Sequence, residues 1–477
     1  MNYKLLSNKN IGVSILALAP YLVALGMQVF FSRQLLVEEV GVFALIWLFL
    51  SMVLAFSNWN VDKYIISKKD ISKEEIDEVF TLEIGISVVL YLITVFFFRD
   101  VVNSYLGIQN FSLFWVSVGF MFCYYPLVRT RAILEKRLAY VSAYSPIFIA
   151  NIIAAIIGGV CIFQGFGLWS MVIWKISIHL IEVLILLFSS SYIPRLRFNF
   201  LHTFDILSYC LPIFLGGVIG FIGLNVDRML VNSLMGEREL GLYYLAFSLS
   251  HILLILRELI ARLLLPILSK KSSNEGKIQI FHKLNGILQI LGVVSAIFVT
   301  YWSDSLFQFV FGEKWLDAVP IFIVLYYAAV FKIVGGSSAT LLFSVMKTRV
   351  AFDVSIINLV IFVPVIFLAI TFSGLSGAAT GVLVSIVLVT IIMYETSVRN
   401  FCNFGFLHYL SYLSVNITSL YIIWAFWIDN SDGVMVRVIA TFVSLAFAVI
   451  TLPINSVLKR VFSDRSFNSS SEIRNSS

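Results

Sequence analysis

Charged side chains inside otherwise apolar segments are the residues of this sequence best placed to bind or carry something. A charge near the middle of an apolar membrane helix costs about 2.5–3.5 kcal/mol on insertion scales, so it faces a polar cavity or a partner. Lys175, His179 and Glu182 recur at helical spacing, which places them on one face of a helix. Two outcomes remain open: all three face a cavity, or Lys175 extends to the outer headgroups and Glu182 alone is buried.

A second polar stripe follows further along the chain. His251, Glu258 and Arg262 fall on one helix face, and Arg257 lies about a quarter-turn away. Glu258 and Arg262 are four residues apart, so they can also neutralise each other within the helix. The stripe therefore predicts either a cavity face or an internal ion pair that still needs a polar neighbour.

Four more charges complete the candidate set. Asp227 and Arg228 lie in the outer third of one apolar segment, and Arg33 lies at the edge of the first. Lys332 is near the middle of the segment 318–344, too far from either end for its ammonium to reach the headgroups. Lys332 is the strongest single candidate for binding.

The sign of these charges predicts the sign of the cargo. Five deep basic residues face three deep acids, so a cavity lined by them is net positive and favours an anion. The candidates for cargo binding are Lys332, Arg228, Arg257, Arg262, Lys175 and Arg33. The candidates for ion coupling are Glu258, Glu182, Asp227, His179 and His251, since a carboxylate in a low dielectric can hold a proton near neutral pH.

The elements that must position these residues are membrane helices. The 477 residues are 60% apolar and 13% charged, far from the soluble norm of roughly 45–50% and 25%. At roughly 20 residues per span, fourteen apolar segments are long enough to cross a bilayer. They lie near 10–31, 41–59, 79–98, 108–128, 144–163, 168–188, 208–232, 240–268, 284–303, 318–344, 352–372, 374–396, 406–428 and 434–456. The sequence thus predicts an all-α integral membrane protein of about 14 transmembrane helices.

Lysine and arginine positions predict the topology. With the N-terminus inside, inner loops and tails hold 23 basic residues and outer loops and span edges hold 5. Short loops rich in Lys and Arg stay in the cytoplasm. Both termini are therefore predicted to be cytoplasmic, and the net charge of +6 reflects topology rather than nucleic-acid binding.

The sequence also repeats itself. Residues 39–43 read Glu-Val-Gly-Val-Phe and residues 239–243 read Glu-Leu-Gly-Leu-Tyr, while a weaker echo pairs 166–169 with 376–379. An even number of spans separates each pair, which predicts a parallel repeat. The expected organisation is an N-lobe of six spans at 1–207, a C-lobe of six at 208–396, an extra helix pair at 397–460 and a disordered cytoplasmic tail at 461–477.

Three motifs carry a family resemblance. Residues 225–230 (Asn-Val-Asp-Arg-Met-Leu), 239–244 (Glu-Leu-Gly-Leu-Tyr-Tyr) and 265–270 (Leu-Pro-Ile-Leu-Ser-Lys) occur in that order. The sequence resembles the polysaccharide-biosynthesis branch of the multidrug/oligosaccharidyl-lipid/polysaccharide exporter superfamily, which includes the Wzx O-antigen flippases, over roughly residues 5–396. The resemblance implies two six-helix lobes in a V, as in the MATE transporters, around a cavity that opens alternately to either side.

The same resemblance implies the cargo and the partners. The cargo would be an undecaprenyl-diphosphate-linked oligosaccharide, an O-antigen or capsule repeat unit, moved from the cytoplasmic to the periplasmic leaflet of a bacterial inner membrane. Membrane lipids and other polysaccharide-assembly proteins would be its partners. A positive cavity suits the diphosphate, whereas an acidic one would suit the rival function, a MATE-type drug or cation antiporter.

Other functions find less support in the sequence. A membrane-embedded glycan polymerase or ligase would need a large outer loop, and the longest, about 304–317, is small. No G-x-x-x-x-G-K-[ST] motif is present for ATP, and the four cysteines are isolated, so no cofactor, metal or catalytic group is expected. The charged inner loop 60–78 is predicted to be an interfacial helix with a solvated face.

Overall fold

The computed structural model describes residues 8–68, 71–106, 111–137, 139–190, 195–270, 274–343 and 348–399. Throughout these ranges the regular structure is helical. The helices are α1 (Asn8–Gln34), α2 (Val37–Ser57), α3 (Val61–Ser67), α4 (Lys73–Phe97), α5 (Arg99–Leu106), α6 (Phe111–Val128), α7 (Thr130–Lys136), α8 (Tyr140–Phe163), α9 (Trp169–Ser190), α10 (Phe200–Met235), α11 (Glu237–Lys270), α12 (Asn274–Val310), α13 (Val319–Phe343) and α14 (Thr348–Arg399). A short 3-10 helix, Glu313–Ala318, precedes α13.

Each of the twelve predicted segments before residue 396 coincides with one of these helices or half-helices. Within the described residues, seven helical stretches are long and apolar enough to cross a membrane: Val37–Ile66, Lys73–Phe97, Tyr140–Phe163, Trp169–Ser189, Thr203–Met235, Glu313–Ile333 and Ile356–Ile392. The predicted segments 406–428 and 434–456 and the tail 461–477 lie outside the described residues. The chain is therefore a multi-pass helical membrane protein, and the count of fourteen stays a prediction.

Helix ends are set by local chemistry. Ser72 caps α4, because its hydroxyl accepts from the Glu75 amide at 3.1 Å while the Glu75 carboxylate accepts from the Ser72 amide at 3.2 Å. Helix α14 is interrupted at Ser373 and Gly374, where Gly374 adopts a φ of 59°. A Cβ on Gly377 would overlap the carbonyl oxygen of Ala369, so the two halves meet closely beside the turn. The predicted boundary between segments 352–372 and 374–396 is confirmed.

Contacts divide the chain into two compact units. The first unit comprises Met1–Asn232 and Gly236–Gly241. The second comprises Ser233–Met235 and Leu242–Ser477. In the first unit, α9 packs on α8 and α2 and α4 pack on α6, around the fully buried Phe43, Phe114 and Trp174. In the second, α13 packs on α12 and α14. The predicted division at residue 208 remains a prediction.

Candidate substrate and ion sites

An arginine at the end of α6 organises a buried charge cluster in the first unit. Arg129 is 7% exposed and donates to both carboxylate oxygens of Glu83, at 2.7 and 2.5 Å. Its second amino group donates to Asp62 at 2.9 Å, and Asn58 accepts a longer bond of 3.4 Å. The Tyr125 ring covers the guanidinium at 5.5 Å. Removing one partner of such a buried pair costs about 3–5 kcal/mol, so this cluster ties α4, α3 and α6 together.

A second arginine reaches the buried acid of α9. Arg131, in the first turn of α7, forms an ion pair with Glu182, whose side chain is fully buried. The Tyr124 hydroxyl donates to the other Glu182 oxygen at 2.8 Å. Of the stripe predicted on α9, Glu182 is therefore held by one charge and one hydroxyl from α6 and α7.

The other two members of the stripe lie on aromatic rings. The Lys175 ammonium is 4.2 Å from the centroid of Trp174 and 5.3 Å from that of Trp47. His179 stacks parallel to Trp47 at 6.2 Å and meets the Tyr124 ring edge-on at 4.4 Å. Lys175 and His179 thus share Trp47, and His179 and Glu182 share Tyr124. The prediction that the three residues lie on one face is confirmed, and Lys175 is half-buried against two rings.

Helix α10 carries the next candidates. Asp227 is 1% exposed, Arg228 is half-buried and donates to the Leu224 carbonyl at 2.9 Å, and Asn225 donates to the Phe221 carbonyl at 2.7 Å. Arg33 is exposed in the last turn of α1. Arg228 and Asn225 each donate a hydrogen bond to a backbone carbonyl of their own helix, as polar side chains in apolar surroundings often do.

The second unit holds the remaining candidates. His251 Nδ1 lies 3.0 Å from the Phe247 carbonyl, and its ring stacks on Phe247 at 3.8 Å. Lys332 is half-buried on α13 between the buried Phe331 and Ile333. Arg257, Glu258 and Arg262 lie on α11, where their side chains fall outside the part that the structure describes. Their predicted stripe stays a prediction.

The inner loop predicted as an interfacial helix contains α3, as expected, but its charges are not all solvated. Asp62 pairs with Arg129, and Glu78 is 5% exposed. Lys68 binds Glu75 at 2.7 Å, and that hydrogen bond raises the pKa of the Lys68 ammonium above its ordinary value. Lys136 of α7 donates to the carbonyls of Ile65 and Lys68 at the end of α3. These loop charges fix α3 and α7 rather than only facing water.

The segment between α9 and α10 is also anchored. The Arg195 amide donates to Asp77 at 3.0 Å, and the Arg197 amide donates to the Thr81 hydroxyl at 2.7 Å. The Arg197 guanidinium lies 3.9 Å from Glu74 and from Glu78. The connection therefore runs along the first turns of α4.

Sequence reasoning missed three residues of these clusters: Arg129, Arg131 and Glu83. The first two were counted only as inner-loop charges, and Glu83 is the isolated acid of the apolar segment 79–98. That isolation is the signal that could have identified Glu83. Among the described residues, no group of three or more His, Cys, Asp and Glu side chains could hold a metal ion.

The spans and the buried charge clusters define the class as a polytopic helical membrane protein. The sequence model of the family described as "Polysaccharide biosynthesis protein" matches residues 30–320. The match covers more than half of the chain, so the chain belongs to that family.

Individual relatives agree with this assignment. The chain is 21% identical over 371 residues to "Lipopolysaccharide biosynthesis protein WzxC" of Escherichia coli K12, covering 76% of this chain and 74% of that protein. It is 28% identical over 137 residues, 28% of each chain, to "Teichuronic acid biosynthesis protein TuaB" of Bacillus subtilis.

Solved structures share the fold. The structure titled "Lipid II flippase MurJ, inward closed conformation" aligns with a TM-score of 0.70 at 18% identity, covering 95% of this chain and 99% of that one. An inward-facing multidrug resistance MATE family transporter of the MOP superfamily aligns at 0.58 and 13% identity, over 81% and 93%. The predicted resemblance to the polysaccharide-biosynthesis family is confirmed by the family match, and these structures share the predicted MATE-like fold.

Proposed function

We propose that this chain is a flippase that moves an undecaprenyl-diphosphate-linked oligosaccharide, an O-antigen or capsule repeat unit, from the cytoplasmic to the outer leaflet of a bacterial inner membrane. Membership of the polysaccharide-biosynthesis family supports a glycan as the cargo. The relative WzxC is named as a lipopolysaccharide biosynthesis protein, and the fold neighbour MurJ is named as a lipid II flippase. The chain then acts as a transporter, not an enzyme.

The observation that carries the proposal is the surplus of basic groups around α9. Lys175 and Arg131 lie at the face of α9 that carries one buried acid, Glu182, which pairs with Arg131, while Lys175 lies on aromatic rings. A diphosphate complements that surplus, while a cationic drug does not. This charge balance favours the lipid-linked glycan over the drug or cation antiporter that the MATE-type fold also permits.

We further propose how the helices, the termini and the charged residues take part in transport. Six-helix lobes at 1–207 and 208–396 would alternate access to the cargo, with the helix pair at 397–460 added to them and both termini in the cytoplasm. Arg33, Arg228, Arg257, Arg262 and Lys332 would add positive charge along the path, and the acids and histidines would supply any ion coupling. Other polysaccharide-assembly proteins are proposed partners.

Deletion of the gene tests the function. We expect lipid-linked saccharide to accumulate on the cytoplasmic side and the surface glycan to disappear. Complementation with the wild-type gene should restore the glycan, and complementation with Arg129→Gln should not. A matched control is Arg238→Gln, which removes an ion pair with Glu38, 3.6 Å long, whose two side chains are both exposed. Unchanged surface glycan and no accumulated intermediate would refute the cargo.

A further inference from the structure

The stripe on α9 contains one acid, Glu182, that has a basic partner, and one basic residue, Lys175, that has no acidic partner among the described residues. Among the described residues, no carboxylate lies within ion-pair distance of Lys175, whose ammonium is covered by Trp47 and Trp174. Two cation–π contacts, each worth roughly 0.5–2 kcal/mol, offset only part of the cost of that charge. Lys175 is therefore a half-buried cation to which the described part of the chain offers no carboxylate partner.

Three polar side-chain nitrogen atoms lie nearby. In the described part of the chain, Arg131 Nε, His179 Nδ1 and Trp174 Nε1 are buried without a hydrogen-bond partner. Buried polar atoms normally have one, and leaving one without costs about 1–3 kcal/mol. Lys175 and His179 share one face of α9, whereas Trp174 lies about 100° round the helix with its ring against the Lys175 ammonium, and Arg131 reaches Glu182 from α7.

One acid competes for these groups. Glu182 is fully buried and occupies Arg131, assisted by the Tyr124 hydroxyl. Lys175 lies seven residues earlier on α9, roughly 10 Å along the axis, and His179 lies between them with its ring against Trp47 and Tyr124. An anion bound beside His179 would have Arg131 on one side and Lys175 on the other. Such an anion would compete with Glu182 for the Arg131 guanidinium.

We infer that Lys175, His179 and Arg131 form a binding subsite for a phosphate or diphosphate group, and that Glu182 is its internal competitor, which holds Arg131 until the anion displaces it. The inference rests on the proposed function, because it assigns the anionic group of the cargo to this face of the first unit. Arg131 is then a cargo-binding residue, and Glu182 weakens binding rather than supporting it.

Intrinsic tryptophan fluorescence tests the subsite, since Lys175 lies on two indole rings. The full-length protein, in nanodiscs of neutral phosphatidylcholine, is titrated with inorganic pyrophosphate, farnesyl diphosphate and, as the uncharged control, farnesol. We expect saturable binding of a diphosphate and none of farnesol. Tighter binding of farnesyl diphosphate than of pyrophosphate indicates that the prenyl chain contributes, as for a lipid headgroup. Equal affinities indicate a site for free phosphate or diphosphate.

Substitutions of the basic residues and of Glu182 should change the affinity for diphosphate in opposite directions. Lys175→Gln and Arg131→Gln should weaken diphosphate binding at least tenfold, whereas Glu182→Gln should tighten it several-fold. Arg197→Gln should bind as wild type. Lys175→Gln removes a charge without an acid partner, so its thermal unfolding should be unchanged or raised, and its binding defect is then not a folding defect.

The outcomes separate this inference from the proposed function. Weaker or equal binding in Glu182→Gln, or wild-type binding in Lys175→Gln, overturns the subsite. If those variants still flip the lipid-linked glycan in vesicles, the flippase assignment survives without it. If neither diphosphate binds the wild-type protein, the subsite is wrong, and only the vesicle assay then decides the flippase assignment.

Discussion

Gly41 and Gly241, 200 positions apart, cross with their backbones in direct contact. A Cβ on Gly41 would overlap the carbonyl oxygen of Glu237, and a Cβ on Gly241 would overlap that of Val37. Each Cβ would also lie 3.1 Å from the other glycine's nitrogen. In both cases the blocking carbonyl belongs to the residue four positions before the partner glycine. The two stretches that resemble each other in sequence, 39–43 and 239–243, therefore meet at their equivalent glycines.

The crossing predicts that neither glycine tolerates a side chain. Gly41→Ala and Gly241→Ala should each lower thermal stability in detergent by at least the upper end of the roughly 1–3 kcal/mol typical of overpacking, because the obstacle is backbone. Gly85→Ala is the control: nothing lies within 4 Å of its Cβ, and alanine in a helix gains up to about 1 kcal/mol over glycine. Equal melting of all three variants would contradict the packing.

The Arg129–Glu83 pair predicts a strongly coupled double mutant. Arg129→Gln should cost about 3–5 kcal/mol, since it leaves the buried Glu83 carboxylate without a cation. Glu83→Gln should cost less, because Arg129 keeps its ion pair with Asp62. The double variant should cost much less than their sum. Arg238→Gln removes the Arg238–Glu38 pair, which is exposed on both sides, and should cost less than about 1 kcal/mol. Thermal unfolding of the four proteins measures this, and additive losses would count against a buried pair.

The anchored connection predicts resistance to trypsin. Cleavage after Arg195 and Arg197 requires the segment to leave α4, where the Thr81 hydroxyl accepts from the Arg197 amide. Thr81→Val removes a bond worth about 0.5–1.5 kcal/mol, so cleavage should quicken roughly two- to tenfold. Thr81→Ser keeps a hydroxyl and should digest at the wild-type rate. Peptide mass spectrometry identifies the sites, and identical rates in all three proteins would rule out this anchor.

The charge distribution predicts the topology. In a chain freed of its native cysteines, Gln164→Cys should react with a membrane-impermeant maleimide in intact spheroplasts, and Lys73→Cys only after lysis. Both positions are exposed, so a lack of access would not reflect burial in the protein. The reverse labelling pattern would place the termini outside.

Spacing along the chain explains what the sequence could predict. The stripe of Lys175, His179 and Glu182 is visible because helix geometry alone puts residues three and four apart on one face. Apolar segment length likewise predicts the helices, and Gly374 marks the break inside α14. These features are local, and the structure contains them as predicted.

The missing parts of the site depend on contacts distant in sequence. Arg129 and Glu83 are 46 residues apart, and Tyr124 and Glu182 are 58 apart. No periodicity connects such pairs, because they meet only when α4, α6 and α9 pack together. A charge count assigns Arg129 and Arg131 to an inner loop. In the structure they lie at the start of α7, where Arg129 pairs with Glu83 and Arg131 pairs with Glu182.

Flipping in vesicles of defined composition tests the central claim most directly. The purified protein is reconstituted with an undecaprenyl-diphosphate-linked oligosaccharide, under imposed proton and sodium gradients and without them, and a membrane-impermeant glycosidase is added outside. We predict that the glycosidase gains access to the inner-leaflet pool in vesicles containing the protein, and that it does so more slowly with Arg131→Gln. Accessibility equal to that of protein-free vesicles under every gradient would contradict it.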